Sequence, residues 1–180
     1  MPLHTVTIIR GERVSVDLSH EACSECSAGA PDVIAIRANP LVEPDTLSRV
    51  AIARPAGSAV LHLYWQANTP DSSSLGLAVV ESSDMLFVGA SSLVAAISLA
   101  SGKRVHETQT ELFWGFEFKP NSILARCELE CMLFSYDGAL VGRAPVDPPW
   151  EESESSDGIV FQSGVYGRQV LTWPPSAGAC

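Results

Sequence analysis

Positive charge is what this chain has least of. Only 11 of its 180 residues are Lys or Arg, against 21 Asp or Glu, and the formal net charge is −10. The acids are spread evenly, ten in residues 1–90 and eleven in residues 91–180. Such a surface repels phosphate backbones and anionic headgroups, which argues against nucleic acid and against a membrane as partners. A basic protein surface is the charged partner that would suit it. Charged residues of both signs amount to only 18%, while hydrophobic residues make up 46%. That is enough to bury a core, and it excludes general disorder.

Other absences narrow the reading. No apolar run reaches the roughly 18 residues that a spanning helix needs. The first twenty residues alternate instead of running apolar, so no secretory leader is expected. Asn68-Thr69-Pro70 fails as a glycosylation acceptor at its third position. The five cysteines are an odd number at irregular spacing. They read as free thiols in a reducing compartment, and the expected location is cytoplasmic. No long segment keeps a helical period.

What the chain does have is a repeat. The segments Met85–Gly102, Ser122–Gly138 and Gly158–Trp173 share one pattern: an apolar run, a short polar break and a second apolar run. Phe87 maps onto Leu124 and then onto Val160, steps of 37 and 36 residues. This is the sequence form of a repeated antiparallel hairpin. The fold class expected is all-β. We divide the chain as one domain over 1–180, with an irregular β part over 1–83 and three repeated hairpins over 84–175.

The rest of the chain fits that class. Residues 4–18 read as a first hairpin, with Gly11 and Glu12 at its turn. Residues 19–31 are small and polar, which reads as a loop, and 32–37 as a strand. Pro40 and Pro44 interrupt the following stretch. Asp45 would cap a short helix, but the alternation Arg49–Ala53 favours a strand. Ala59–Trp65 and Leu75–Val80 are strands, with a loop over 68–74. In Glu111–Lys119, Leu112, Trp114 and Phe116 share one parity while Phe113 and Phe118 do not, and Gly115 marks a bulge or a close backbone approach.

The unit Phe87–Lys103 carries a Val/Gly strand leading to an apolar strand and a Gly turn, and Phe134–Gly138 ends a second unit in an Asp-Gly turn. In this they resemble the blades of β-propeller proteins, particularly the pyrroloquinoline-quinone-type repeat. The third unit ends Leu171-Thr172-Trp173 and has Pro174-Pro175 where the turn would stand. The resemblance covers residues 84–175 and implies a propeller-like hairpin stack. A closed ring needs at least four four-stranded blades, and residues 1–83 show no matching repeat. The expectation is therefore antiparallel hairpins in a partial propeller-like or sandwich arrangement, not a closed propeller. No residue here matches a position that would hold the quinone, so no cofactor is expected.

Several residue sets invite a chemical reading. Cys23 and Cys26 form a Cys-x-x-Cys, and Cys127 with Cys131 would complete four thiolates for a structural zinc. Unremarkable thiols are the simpler reading, and no metal site is assigned. Gly89–Leu93 has the look of a nucleophile elbow but lacks its closing glycine and lies between two strands, so it reads as a turn. His4, His20, His62 and His106 are scattered. Glu128 and Glu130 share a strand face, as a glycosidase pair would, though a solvated turn accounts for them. In the run Trp150–Asp157, Trp150 stands beside Glu151, Glu152, Glu154 and Asp157. We take those five residues as the candidate partner-binding set, with Trp150 as the anchor; an exposed acidic loop is the plainer reading.

The function expected is a non-catalytic binding module that recognises a protein partner, and no catalytic residue is assigned. Immunity-type inhibitors, which neutralise a basic toxin with an acidic surface, are a concrete instance. Alternatives are a carboxylate-based hydrolase or lyase on a β scaffold, and a zinc-stabilised structural protein.

Overall fold

The structure, a computed structural model, describes residues 4–23, 33–67 and 74–174. Its strands, in chain order, are β1 (His4–Arg10), β2 (Ser15–Ala22), β3 (Val33–Arg37), β4 (Thr46–Arg54), β5 (Gly57–Trp65), β6 (Ser74–Val80), β7 (Met85–Ala90) and β8 (Leu93–Ser98). They continue as β9 (Arg104–Gln109), β10 (Phe113–Lys119), β11 (Ser122–Cys127), β12 (Glu130–Ser135), β13 (Leu140–Pro145), β14 (Trp150–Glu154), β15 (Gly158–Ser163) and β16 (Gly167–Thr172). A single turn of 3₁₀ helix, Glu81–Ser83, links β6 to β7.

The strands form four sheets. Sheet I has the order β2-β4-β5-β3, sheet II β1-β6-β7-β8-β9, sheet III β10-β11-β12-β13 and sheet IV β14-β15-β16. Sheets III and IV are pure up-and-down meanders, as is the β6–β9 part of sheet II. The sheets stack in the order I, II, III, IV, and each neighbouring pair encloses its own apolar layer. This is an all-β, partial propeller-like stack, and the described residues do not close it into a ring.

The repeat is the backbone of this arrangement. Its three copies are the hairpins β7–β8, β11–β12 and β15–β16. Because side chains alternate along a strand, each copy turns one face to the sheet before it, and the first two turn the other to the sheet after it. Phe87 on sheet II faces sheet III, and Leu124 on sheet III faces sheet IV. Sheet II lies between two neighbours, so every residue of β7 is buried. A strand covered on both faces must be apolar throughout, and Met85–Ala90 is.

Glycine sets the spacing between sheets II and III. Gly76 and Gly89 stand opposite each other on β6 and β7, and the fully buried ring of Phe113 lies over both. A β-carbon on Gly89 would come within 2.3 Å of that ring, and one on Gly76 within 2.7 Å. Phe116 backs the ring at 4.8 Å between centroids. Between sheets I and II, the largely buried Arg54 pairs with Asp84 at 3.0 Å and donates to the carbonyl of Leu99 at 2.6 Å.

The structure corrects the sequence reading at its N-terminal end. Residues 4–18 are not a hairpin: β1 runs parallel to β6, and β2 pairs with β4. Gly11 carries a φ of 146° at the point where the chain passes between sheets II and I. β3 likewise joins β5 in parallel. Pairings of such long sequence separation leave no local turn signal. Residues 46–54 are a strand, as the alternation suggested, and Asp45 accepts from the Ala67 amide at 2.8 Å instead of capping a helix. The loop 68–74 lies outside the described residues except for Ser74, which begins β6.

Candidate protein-binding surface

The acidic run beginning at Trp150 is a strand for most of its length, not a loop. Residues Trp150–Glu154 form β14, so their side chains part in alternation. Trp150, Glu152 and Glu154 face sheet III, where Trp150 packs on the apolar layer and both acids meet cations. Glu151 points the other way and is exposed. Asp157 lies in the β14–β15 turn, at the far end of β14 from Trp150, where its carboxylate accepts from the Ser156 hydroxyl at 3.1 Å. The five residues adjacent in sequence therefore occupy three different environments.

Glu152 and Glu154 belong to an ion network between β10, β11 and β14. The Lys119 ammonium, 5% exposed, donates to Glu117 at 2.7 Å and to Glu154 at 2.5 Å, with Glu152 at 3.8 Å. The Arg126 guanidinium meets both oxygens of Glu152 at 2.8 Å and Glu117 at 2.5 Å. Burial pushes the Glu117 carboxyl up, but hydrogen bonds from Lys119 and Arg126 outweigh that and hold it below its usual value. For Lys119, burial works against the charged form, and the bonds to Glu117 and Glu154 overcome it. Sheets III and IV are thus joined by apolar packing around Leu133 and Phe161 and by this ionic layer beside it.

Trp150 has a partner that the sequence reading did not single out for this role. Its indole stacks on Trp114 with centroids 5.1 Å apart and planes 7° from parallel. A register shift between Phe113 and Gly115 makes this possible. It inserts an extra residue, which flips the parity of the strand. Phe113, Phe116 and Phe118 then share the face toward sheet II, while Trp114, Glu117 and Lys119 turn to sheet IV. The inserted residue is Trp114; Gly115, which the sequence marked for a bulge or a close backbone approach, directly follows it, pairs with Arg126 and has open space where a side chain would stand.

The tryptophan pair is partly bare. Trp114 is 40% exposed, and Trp150 borders a shallow groove of about 380 Å³ with Pro149, Glu151, Gln162 and Ser163. Glu111, Glu128 and Asp147 share this end of the stack: the Glu128 amide bonds to the Leu112 carbonyl, and the Val146 amide to that of Leu129.

The other sequence candidates fall elsewhere. Cys127 faces sheet II and Cys131 faces sheet IV, so they lie on opposite faces of sheet III and do not converge on one ion. Burial pushes both thiols up to about 12. Cys23 is half-buried near β2, and Cys26 lies outside the described residues. Glu130 pairs with Arg143 at 3.5 Å, while Glu128 is solvated. Gly89–Leu93 spans the end of β7, the turn Ser91–Ser92 and the start of β8, and Ser91 takes a φ of 53°. His62 is half-buried, 6.5 Å from the Tyr64 ring. A larger groove of about 490 Å³ opens at the opposite end of the stack, beside Ser83, Tyr136, Asp137 and Val141.

No protein-family model matches the sequence, and no curated relative matches it. Among solved structures, the chain is similar to BamB from Moraxella catarrhalis, at 13% identity and a TM-score of 0.38, over 71% of this chain and 40% of that one. Sqt1 from Saccharomyces cerevisiae gives 11% identity and a TM-score of 0.41, over 72% and 40%. AztD from Citrobacter koseri gives 10% and 0.40, over 77% and 45%. These are β-propeller proteins, and the chain spans less than half the length of each. Overlaps of this size add nothing to the fold already given by the strand order.

Proposed function

We propose that this chain is a non-catalytic binding module that recognises a protein partner through the Trp114–Trp150 surface. The observation that carries the reading is the stacked indole pair left partly bare. Tryptophan offers a large rigid contact area at little entropic cost, and it dominates many interface hot spots. Glu151 stands beside the pair, and Glu111, Glu128 and Asp147 lie at the same end of the stack. Together with the net charge of −10, they favour a partner with a basic face. The narrowest form of the reading is an immunity-type inhibitor that covers a basic toxin.

The test compares captures from native lysate. Wild-type protein is run against Trp114→Ala, Glu151→Lys and a control on sheet I, Arg49→Ala. The expected result is one prominent protein held by wild type and by the control and lost from both surface variants. Its association rate should fall steeply with salt, since charge steers the encounter. Equal capture by all four proteins would end the proposal, as would an association rate insensitive to salt.

A further inference from the structure

At the rim of sheet IV, where β14 begins and β15 ends, the Trp150 groove has two walls of different kind. One is apolar and fixed: Pro149 and the indole of Trp150. That indole packs on the layer between sheets III and IV and lies flat on Trp114, so it is held from two directions. The other wall is polar. Glu151 and Gln162 stand opposite each other on β14 and β15, and both line the groove.

Glu151 differs from the other acids of its run. Glu152 and Glu154 meet Arg126 and Lys119, and Asp157 accepts from Ser156. Glu151 is exposed and has no ion pair or hydrogen bond among the described residues, and the same holds for the side-chain amide of Gln162. Arg168 ends their row two strands from Glu151, and no ion pair joins the two. The groove measures about 380 Å³. That is near the lower end of the roughly 300–1,000 Å³ of small-ligand pockets, which is room for one side chain. It sets together a rigid apolar wall, a carboxylate without a counter-charge and an amide oxygen free to accept.

We propose that this groove receives an arginine side chain of the protein partner. The guanidinium forks onto the Glu151 carboxylate, gives a further N–H to the Gln162 amide oxygen and lies against the Pro149–Trp150 wall. This rests on the reading of the surface as a protein-binding one and adds the residue that the partner presents. An apolar side chain in the same place would strip water from Glu151 and leave it unpaired, which is costly. Lysine carries the right charge, but its ammonium is a compact, strongly hydrated point with no flat face. Arginine is planar, weakly hydrated and forked, so it matches a carboxylate in two bonds while its plane meets an aromatic surface. The walls are already in place, so little ordering opposes the contact.

The test titrates a capped Gly-Arg-Gly peptide into the full chain, labelled with nitrogen-15, and follows the Trp150 indole N–H and the Gln162 side-chain amide by NMR. Peptides with lysine or citrulline in place of arginine are run alongside; citrulline keeps the shape and loses the charge. The expected result is a saturable shift with a Kd of about 1 mM in about 0.05 M salt. Binding should be about threefold weaker or more for lysine and about tenfold weaker or more for citrulline. Glu151→Gln should weaken the arginine peptide about tenfold, and Gln162→Ala about threefold. Asp17→Asn removes one charge from an exposed site on sheet I and should change nothing. All three positions are exposed, so circular dichroism should match wild type. Four results would each overturn the proposal: no saturable shift by about 20 mM, lysine bound as tightly as arginine, citrulline bound as tightly as arginine, or equal losses from Glu151→Gln and Asp17→Asn. The two readings of this surface fail separately. A captured protein that needs Trp114, with no arginine peptide bound, would keep the binding module and end arginine as the residue recognised. Arginine binding with no captured protein would keep this site and end the protein-partner reading.

Discussion

Replacing Gly89 by alanine tests the packing between sheets II and III directly. The new methyl would lie 2.3, 2.4 and 2.6 Å from three atoms of the Phe113 ring, all well inside contact distance. The ring has nowhere to go. It is fully buried, crowded by Gly76 on β6 and backed by Phe116. Overpacking of a tight core typically costs about 1–3 kcal/mol, and this site belongs at the upper end because ring, strand and neighbour are all fixed. For a chain of this size about 3 kcal/mol lowers the melting temperature by roughly 6–12 °C. Urea unfolding followed by far-UV circular dichroism measures it. Gly115→Ala is the matched control, since open space surrounds that position, and its effect should stay within about 0.5 kcal/mol. Phe113→Leu should relieve the clash, so the double variant Gly89→Ala/Phe113→Leu should lose at least about 1 kcal/mol less than the sum of the single changes. A Gly89→Ala protein as stable as wild type would refute the close approach of the two sheets at this point.

Further predictions rest on the ionisable groups. Lys119→Met leaves Glu117, Glu152 and Glu154 facing Arg126 alone and should cost about 1–3 kcal/mol at neutral pH, the carboxylates being partly solvated. Glu117 titrates below its ordinary value of 4.5 in the fold. Its contribution is therefore complete above that value and lost as pH falls through the lowered one. The difference between wild type and Lys119→Met should shrink toward about pH 3, and a gap independent of pH would refute the ionic account. Burial lowers the pKa of His20, and burial with the Arg143 charge lowers that of His106, both from 6.5. The unfolded chain then takes up protons first, so stability should decline as pH drops below 6.5. His106→Phe should flatten part of that decline in urea titrations. In a variant with serine at the other cysteines, Cys127 and Cys131 should resist a thiol reagent until the protein unfolds, because both are buried and their thiols are pushed up to about 12. Rapid native labelling of either would show sheet III to open readily.

The reading of the site from sequence was limited by the same physics that builds it. Trp150 and Glu151 emerged as neighbours of an exposed groove because their chemistry is local. Glu152 and Glu154 look identical to Glu151 in a string of letters, yet strand alternation turns them toward Lys119 and Arg126 on other strands. Trp114 was legible as part of an aromatic strand, but its orientation depends on a bulge that reverses parity after Phe113. Cys127 and Cys131 lie four positions apart, and only the two-sided burial of sheet III shows that they face away from each other.

The sequence by itself determined the strands and the three repeated hairpins, because alternation, apolar runs and turn glycines act within a few residues of each other. Tertiary structure alone decided that β1 would run beside β6 and β3 beside β5, since such parallel pairings join segments with no turn between them. It also decided which acids would be paired and which left in water. Those choices depend on which face of a strand meets another sheet, and that is settled only when the sheets stack.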